Sequence, residues 1–168
     1  MEAIALLIAA TLNAGTLLAF ASLGLLINER SGIVNLGAEG MMLVAAIAGF
    51  ATSFHTGSDV LAFAAGAAAG ALMAAAFGVL VIWFNTNQYA TGLALSLFGA
   101  GFSAFVGIGY APEKLGERAR FEIPGLADIP LLGAALFRQH PMVYIAVALT
   151  AALTWFLYNS RAGLVLRA

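Results

Sequence analysis

Long stretches without a charged residue constrain this chain more than any other feature of its sequence. No Asp, Glu, Lys or Arg occurs in four stretches, which cover residues 3–28, 40–58, 60–112 and 139–160. A helix rises about 1.5 Å per residue, so each stretch is long enough to cross a hydrocarbon core of roughly 30 Å. The third stretch would reach about 80 Å as one helix and must therefore contain two spans.

The polar run NTNQ at residues 85–88 is the natural break inside that third stretch. It predicts helices near 60–84 and 90–110 and brings the total to five spans. Only 9% of the 168 residues are charged and 62% are hydrophobic, whereas soluble domains carry about 25% charged residues. We therefore predict an all-α polytopic transmembrane protein in which residues 1–168 form a single membrane domain.

Residues 112–139 form the one hydrophilic segment of appreciable length, and they are predicted to be an extramembrane loop. With five spans, three Lys/Arg residues lie on one side of the bundle and four on the other. The positive-inside rule therefore does not decide which side is cytoplasmic.

Several functional classes find no support in these residues. The chain has no cysteine, a net charge of −1 and no basic run, so neither thiol chemistry nor a nucleic-acid partner is expected. It contains no phosphate-binding loop, nucleophile elbow or paired-histidine metal motif. His55 and His140 lie at predicted span ends, where an interfacial role is expected instead of a metal site. We predict a protein without enzymatic activity, cofactor or metal.

Glycine and charged residues interrupt the apolar sequence at residues 28–40. Gly32, Gly37 and Gly40 make a continuous straight helix unfavourable there and predict a broken helix or re-entrant turn. Non-helical backbone at membrane depth is tolerated where it is buried in protein or lines a water-filled path. The segment is therefore expected to border a translocation route.

Glu39 lies in this segment, immediately before an apolar span. A carboxylate inside a bilayer is costly, so it must have water or a partner. It is a candidate pathway or substrate residue. Two other roles remain open: a favourable charge at a helix N-terminus, or an ion pair with Arg30 that fixes the turn.

Amide side chains supply the remaining candidates, because they both donate and accept hydrogen bonds and so suit uncharged polar solutes. The alternative role for each is a hydrogen bond to a neighbouring helix. The candidates for the pathway are Asn13, Asn35, Asn85, Asn87 and Gln88.

Small residues recur at helical spacing in two of the predicted spans, and such stripes let helix backbones approach closely in lipid. We predict helix packing at these positions, within one subunit or at a subunit interface. The glycines concerned are Gly66, Gly70 and Gly78 in one helix and Gly99 and Gly107 in the next.

Residues 29–42 (ERSGIVNLGAEGMM) closely resemble the early segment of ATP-binding-cassette (ABC) importer permeases of the branched-chain amino acid, ribose and nucleoside type. Within that group, NLGAEG at 35–40 resembles the nucleoside and simple-sugar branch. Further similarity lies in IPGLADIPLLG at 123–133, which resembles an extracytoplasmic loop, and in PMVY at 141–144. Residues 160–168 resemble the run that leads into the cytoplasmic coupling segment.

The resemblance covers essentially the whole chain but only about the first half of a family member. It therefore implies a truncated or split permease whose half alone does not transport. It also implies three protein partners: a second permease subunit, a cytoplasmic ATP-binding subunit and an extracytoplasmic solute-binding protein. The expected solute is small and polar, with nucleosides first and simple sugars next.

The same resemblance implies an orientation in a bacterial inner membrane. Arg161 and Arg167 would lie near the cytoplasmic coupling segment, which places the N-terminus and the 112–139 loop outside. Two alternatives remain open: an ion-coupled secondary transporter that uses Glu39, and a membrane scaffold without a transport pathway.

Overall fold

The computed structural model describes residues 2–110 and 141–167, with side chains over 7–110 and 141–166. Within these ranges the chain forms six α-helices and no strand. They are α1 (Glu2–Arg30), α2 (Ala38–Thr56), α3 (Asp59–Gly78), α4 (Gln88–Gly107), α5 (Pro141–Asn159) and α6 (Arg161–Arg167). A π-helical turn (Val79–Trp83) continues α3, and a 3₁₀ turn (Ile108–Tyr110) continues α4.

Five helical stretches of the described chain are long and apolar enough to cross a membrane. They are Leu7–Arg30, Ala38–Thr56, Asp59–Trp83, Gln88–Tyr110 and Pro141–Asn159. The predicted all-α fold with five spans is therefore confirmed, including the break near residues 85–88. The predicted loop at 112–139 and His140 lie outside the described residues.

The helices belong to two compact units, and the first contains α1, α5 and α6. In this unit α1 packs on α5, while Leu17 remains 71% exposed and Val147 67% exposed. Hydroxyl groups on both helices donate to the carbonyl one turn earlier, as Thr16 does to Leu12 over 2.7 Å and Thr150 to Ala146 over 2.8 Å. This arrangement satisfies polar side chains where lipid offers no water.

Helix α6 folds back directly on the end of α5. Ser160 Oγ accepts a hydrogen bond from the Gly163 N–H over 2.9 Å, which caps the start of α6. A Cβ at Gly163 would lie 2.7 Å from the Leu157 Cα and would also collide with the Phe156 carbonyl oxygen. Glycine at position 163 is therefore required for the tight turn between the two helices.

The second unit contains α2, α3 and α4. Helix α2 runs antiparallel to α3, and the two approach closely at a pair of glycines: a Cβ on Gly49 would lie 3.9 Å from the Gly66 Cα and 3.1 Å from the Ala62 carbonyl oxygen. A buried cluster joins α2 to α3 and its π-helical continuation. It consists of Met41, Val44, Met73, Phe77 and Val81.

Helix α2 also runs parallel to α4, and glycines bring these two backbones into direct contact. A Cβ on Gly40 would lie 2.6 Å from the Ser96 Cα, and a Cβ on Gly99 would collide with the Gly40 backbone. Of the glycines predicted to pack, Gly66 and Gly99 lie close against the backbone of α2, whereas Gly70 and Gly107 leave room for only ordinary contacts with side chains of α2. No described heavy atom lies within 4 Å of a Cβ placed on Gly78.

Substitution of the α2–α4 glycines should therefore weaken the second unit. We expect Gly40→Ala and Gly99→Ala each to lower the free energy of unfolding by about 1–3 kcal/mol, because an added methyl group overpacks a backbone contact. The measurement is thermal unfolding of the purified protein in detergent.

Gly78→Ala is the matched control, since it adds a methyl group in open space. It should leave stability unchanged or raise it by up to about 1 kcal/mol through higher helix propensity. Equal unfolding temperatures for Gly40→Ala and the unsubstituted protein would contradict the role assigned to Gly40.

Candidate functional site

The predicted break between the first two spans is present in the structure and is narrower than residues 28–40. Helix α1 continues to Arg30 and α2 begins at Ala38, so residues 31–37, hereafter the break segment, are not helical. Gly32 adopts a left-handed φ of 80°, which a side chain at this position would strain. Of the three glycines that predicted the break, Gly32 is therefore one local cause of it, whereas Gly37 has a φ of −83° and Gly40 lies within α2.

Asn35 lies at the centre of the break segment and is only 8% exposed. Its Oδ1 accepts a hydrogen bond from the Gly37 N–H over 2.8 Å, and its Nδ2 donates to the Met41 Sδ over 3.6 Å. The first contact is an Asx turn that leads the chain into α2. The amide therefore fixes the shape of the segment.

Glu39 lies in the first turn of α2, and its side chain is exposed. A negative charge at this position interacts favourably with the helix macrodipole. This placement matches one of the two structural roles left open for Glu39 and also leaves its carboxylate accessible.

Side chains of α4 contact the break segment directly. Gln88 Oε1 accepts a hydrogen bond from the Val34 N–H over 2.8 Å, and Ser96 Oγ donates one to the Leu36 carbonyl over 3.0 Å. Between them, a Cβ at Gly92 would lie 2.8 Å from the Leu36 nitrogen. The roles of Gly92 and Ser96 were not predicted, because nothing in a linear sequence shows which helix lies beside the break.

A second irregular stretch leads into α4, and we call residues 84–88, which end with the first residue of α4, the polar turn. The Phe84 N–H donates to the Val79 carbonyl over 3.2 Å, which closes the π-helical turn. Asn85 then adopts a left-handed φ of 50°, a conformation that asparagine tolerates better than most residues. The Thr86 hydroxyl bonds the Leu80 carbonyl over 2.9 Å and the Thr91 hydroxyl over 2.8 Å.

Asn87 caps the start of α4. Its Oδ1 accepts hydrogen bonds from the Tyr89 N–H over 3.0 Å and the Ala90 N–H over 3.1 Å. Such side-chain caps satisfy backbone donors that have no partner within the helix. Asn87 therefore lies at the break, as predicted, and its side-chain oxygen accepts hydrogen bonds from the backbone.

The structure brings together four of the predicted pathway residues at one end of the second unit. Asn35 lies in the break segment, and Asn85, Asn87 and Gln88 lie in the polar turn, which is joined to that segment by Gln88. Asn13 belongs to α1 of the first unit, where its Nδ2 donates to the Ala9 carbonyl over 3.0 Å.

Arg161 and Arg167, the residues predicted near the coupling segment, are the first and last residues of α6. The Arg161 side chain is exposed.

A groove of about 500 Å³ opens beside the polar turn in the second unit. Its lining is apolar apart from Thr91, whose hydroxyl is bonded to Thr86. The polar groups of this region therefore converge on the backbone of the break segment and polar turn and not on the groove.

His55 lies at the opposite end of α2. Its Nε2 is 3.0 Å from the Tyr110 hydroxyl, and Phe54 packs edge-on against both rings. Over residues 2–110 and 141–167, no group of three His, Cys, Asp or Glu side chains could hold a metal ion.

The five long apolar helices define a multi-pass helical membrane protein. The sequence matches, over residues 7–168, the family described as the permease component of branched-chain amino acid transport systems. The chain belongs to this family.

Three curated relatives are similar to the chain. A protein of Haloferax volcanii, provisionally named a glucose ABC transporter permease protein, is 41% identical over 94% of this chain and 49% of the relative. The guanosine ABC transporter permease protein of Bacillus subtilis is 30% identical over 99% of this chain and 56% of its own length. The nucleoside ABC transporter permease protein of Lactococcus lactis is 28% identical over 96% of this chain and 55% of its own length.

The chain thus spans about half the length of the curated relatives it matches. No solved structure matches it significantly. The comparisons support the nucleoside and simple-sugar branch that the motif at residues 35–40 indicated.

The capping role of Asn87 can be tested by a pair of substitutions. Asn87→Ala should cost about 1 kcal/mol of local stability because two backbone N–H groups lose their acceptor, whereas Asn87→Asp retains the acceptor and should cost less. The measurement is hydrogen exchange of the amides at the start of α4. Similar protection of the Tyr89 and Ala90 amides in Asn87→Ala and the unsubstituted protein would contradict the cap.

Proposed function

We propose that this chain is the translocation part of an ABC importer that moves a small uncharged polar solute across a membrane. Nucleosides are the first candidates and simple sugars the second. The family assignment supports the class, and the relatives' names, which mention glucose, guanosine and nucleoside, support the solute class. The observation that carries the proposal is the break segment, a non-helical stretch with a buried amide between two membrane-spanning helices.

The energy for transport comes from a separate subunit in this proposal. The sequence contains a single lysine, Lys114, and no phosphate-binding loop accompanies it. A cytoplasmic ATP-binding subunit, a second permease subunit and an extracytoplasmic solute-binding protein complete the machine. Residues 1–168 contribute part of one permease subunit to it, in the inner membrane of the cell.

The proposed orientation places α6 near the cytoplasmic coupling segment. This short helix folds back on the end of α5 and begins with the exposed Arg161, which is accessible to a partner. If α6 faces the cytoplasm, five spans put the N-terminus outside and the break segment and polar turn toward the inner side. The two irregular segments would then border the inner part of the route.

The mechanism is alternating access without covalent chemistry in this chain. Closure of the ATP-binding subunits would be transmitted to the permease through its cytoplasmic segments. Solute affects this cycle only if the inward-facing and outward-facing states bind it with different affinity. The break segment is suited to supply that difference, because backbone that is not committed to a regular helix can present its polar groups to a passing solute.

The ion-coupled alternative, in which Glu39 binds the driving ion, is not favoured by the family assignment. The exposed position of Glu39 in the first turn of α2 also gives its charge a structural explanation.

The two energy sources predict different responses of solute uptake. In cells or vesicles that contain the complete permease and its partners, uptake of radiolabelled guanosine should persist with an uncoupler present. It should fall at least about tenfold when the phosphate-binding lysine of the partner ATPase is replaced, because that lysine positions the transferred phosphate. Collapse of uptake with the uncoupler alone would establish the ion-coupled alternative, and competition by glucose against guanosine would rank the solutes.

The role of the break segment predicts specific losses of uptake. Asn35→Ala should lower uptake per assembled transporter about tenfold, since loss of a buried hydrogen-bonding group costs about 1–3 kcal/mol. Glu39→Ala should lower it about threefold through loss of a helix-terminal charge of roughly 0.3–1 kcal/mol.

Ser22→Ala is the control, because the Ser22 hydroxyl only bonds carbonyls of its own helix. Its uptake should match that of the unsubstituted transporter. If Asn35→Ala and Glu39→Ala both assemble and transport normally, neither the break segment nor the first turn of α2 serves the translocation route.

A further inference from the structure

Three residues on one face of α4 meet the break segment. Gln88, Gly92 and Ser96 recur every four residues and therefore lie above one another on the helix. The outer two make hydrogen bonds to the segment's backbone, with one accepting from the Val34 N–H and the other donating to the Leu36 carbonyl. Gly92, between them, leaves room for the Leu36 backbone.

We propose that Gln88 and Ser96 are positioning residues that clamp the break segment onto α4. The clamp holds Asn35 in its buried position and fixes the path of the chain into α2, without either residue touching the solute. This gives Gln88 a different role from the solute contact suggested by its amide group alone. The importance of the clamp for transport rests on the proposed function, whereas the clamp itself does not.

The chemistry of the two contacts fits this role. A segment that leaves the helical pattern exposes backbone donors and acceptors, which lipid does not satisfy. Gln88 supplies an acceptor for one N–H, and Ser96 supplies a donor for one carbonyl. Neighbouring Ile33 packs against the buried cluster of α2 and α3, so release of the clamp would expose a side chain that is now half-buried.

The chain contains no cysteine, so a single introduced thiol can report on the segment. Ile33→Cys places the reporter in the break segment. Ser53→Cys places a control reporter at a buried position of α2. Each is made in the complete permease assembled with its partners, and the rate of maleimide labelling is read by mass spectrometry on the peptide that contains the reporter.

Variants that remove the clamp are paired with variants that retain it. Gln88→Met removes the acceptor, whereas Gln88→Glu keeps an acceptor oxygen in either protonation state. Ser96→Ala removes the donor, whereas Ser96→Thr keeps it. We expect Gln88→Met and Ser96→Ala to raise labelling at position 33 about tenfold, as expected when one backbone group loses a hydrogen-bond partner that lipid does not replace. Gln88→Glu and Ser96→Thr should stay within about twofold, because the contact remains.

Unchanged labelling at position 33 in Gln88→Met and Ser96→Ala would overturn the clamp. So would an equal rise at positions 33 and 53, which would show general loosening of the unit. Uptake provides the third readout: Gln88→Glu should keep the KM for guanosine, and a changed KM with unchanged labelling would assign Gln88 to the solute instead. If the labelling pattern holds but no ATP-driven uptake occurs, the clamp stands and the proposed function fails.

Discussion

The break segment depends on a single physical constraint, which is that backbone polar groups in a membrane protein need partners within the protein. Helices meet this constraint internally, but residues 31–37 cannot. The structure supplies partners from three sources: the Ser31 N–H bonds the end of α1, the Gly37 N–H bonds the side chain of Asn35, and the Val34 N–H and the Leu36 carbonyl bond side chains of α4. Helix α4 therefore contributes to the stability of the irregular segment.

That proximity depends in turn on glycine. Side chains would hold α2 and α4 too far apart for the short hydroxyl of Ser96 to reach a backbone carbonyl in the break segment. The lack of a side chain allows the backbones to approach closely at three positions, which are Gly40, Gly92 and Gly99. Glycine is usually unfavourable within a helix. In lipid, however, close approach of backbones is a main source of helix association, so glycine favours the packing of α2 on α4. The same glycines that shape the α2–α4 packing thus make the hydrogen bonds to the break segment possible.

Sequence reasoning predicted the spans and both interruptions because these depend on properties that can be read along the chain: length without charge, glycine clusters and consecutive amides. It did not predict which faces pack. In a soluble protein the buried face of a helix is the apolar one, but membrane helices are apolar on all sides and only small residues mark the contact. Gly78 has the same spacing as Gly66 and Gly70 yet contacts nothing described, whereas Gly40 and Gly92 fell outside the predicted stripes. The π-helical turn had no sequence signal that distinguished it from the rest of its helix.

The amide side chains show that polar residues of a membrane protein can serve its own backbone. Asn35, Asn87 and Gln88 all use their carbonyl oxygen to accept a hydrogen bond from a backbone N–H. A carboxylate could accept the same bonds, but an amide does so without adding a charge to a membrane protein. An amide is the uncharged acceptor of the same shape, so its presence at these positions is explained before any solute is considered. Recognition of a nucleoside or sugar would then depend on hydrogen-bonding groups other than these three carbonyl oxygens.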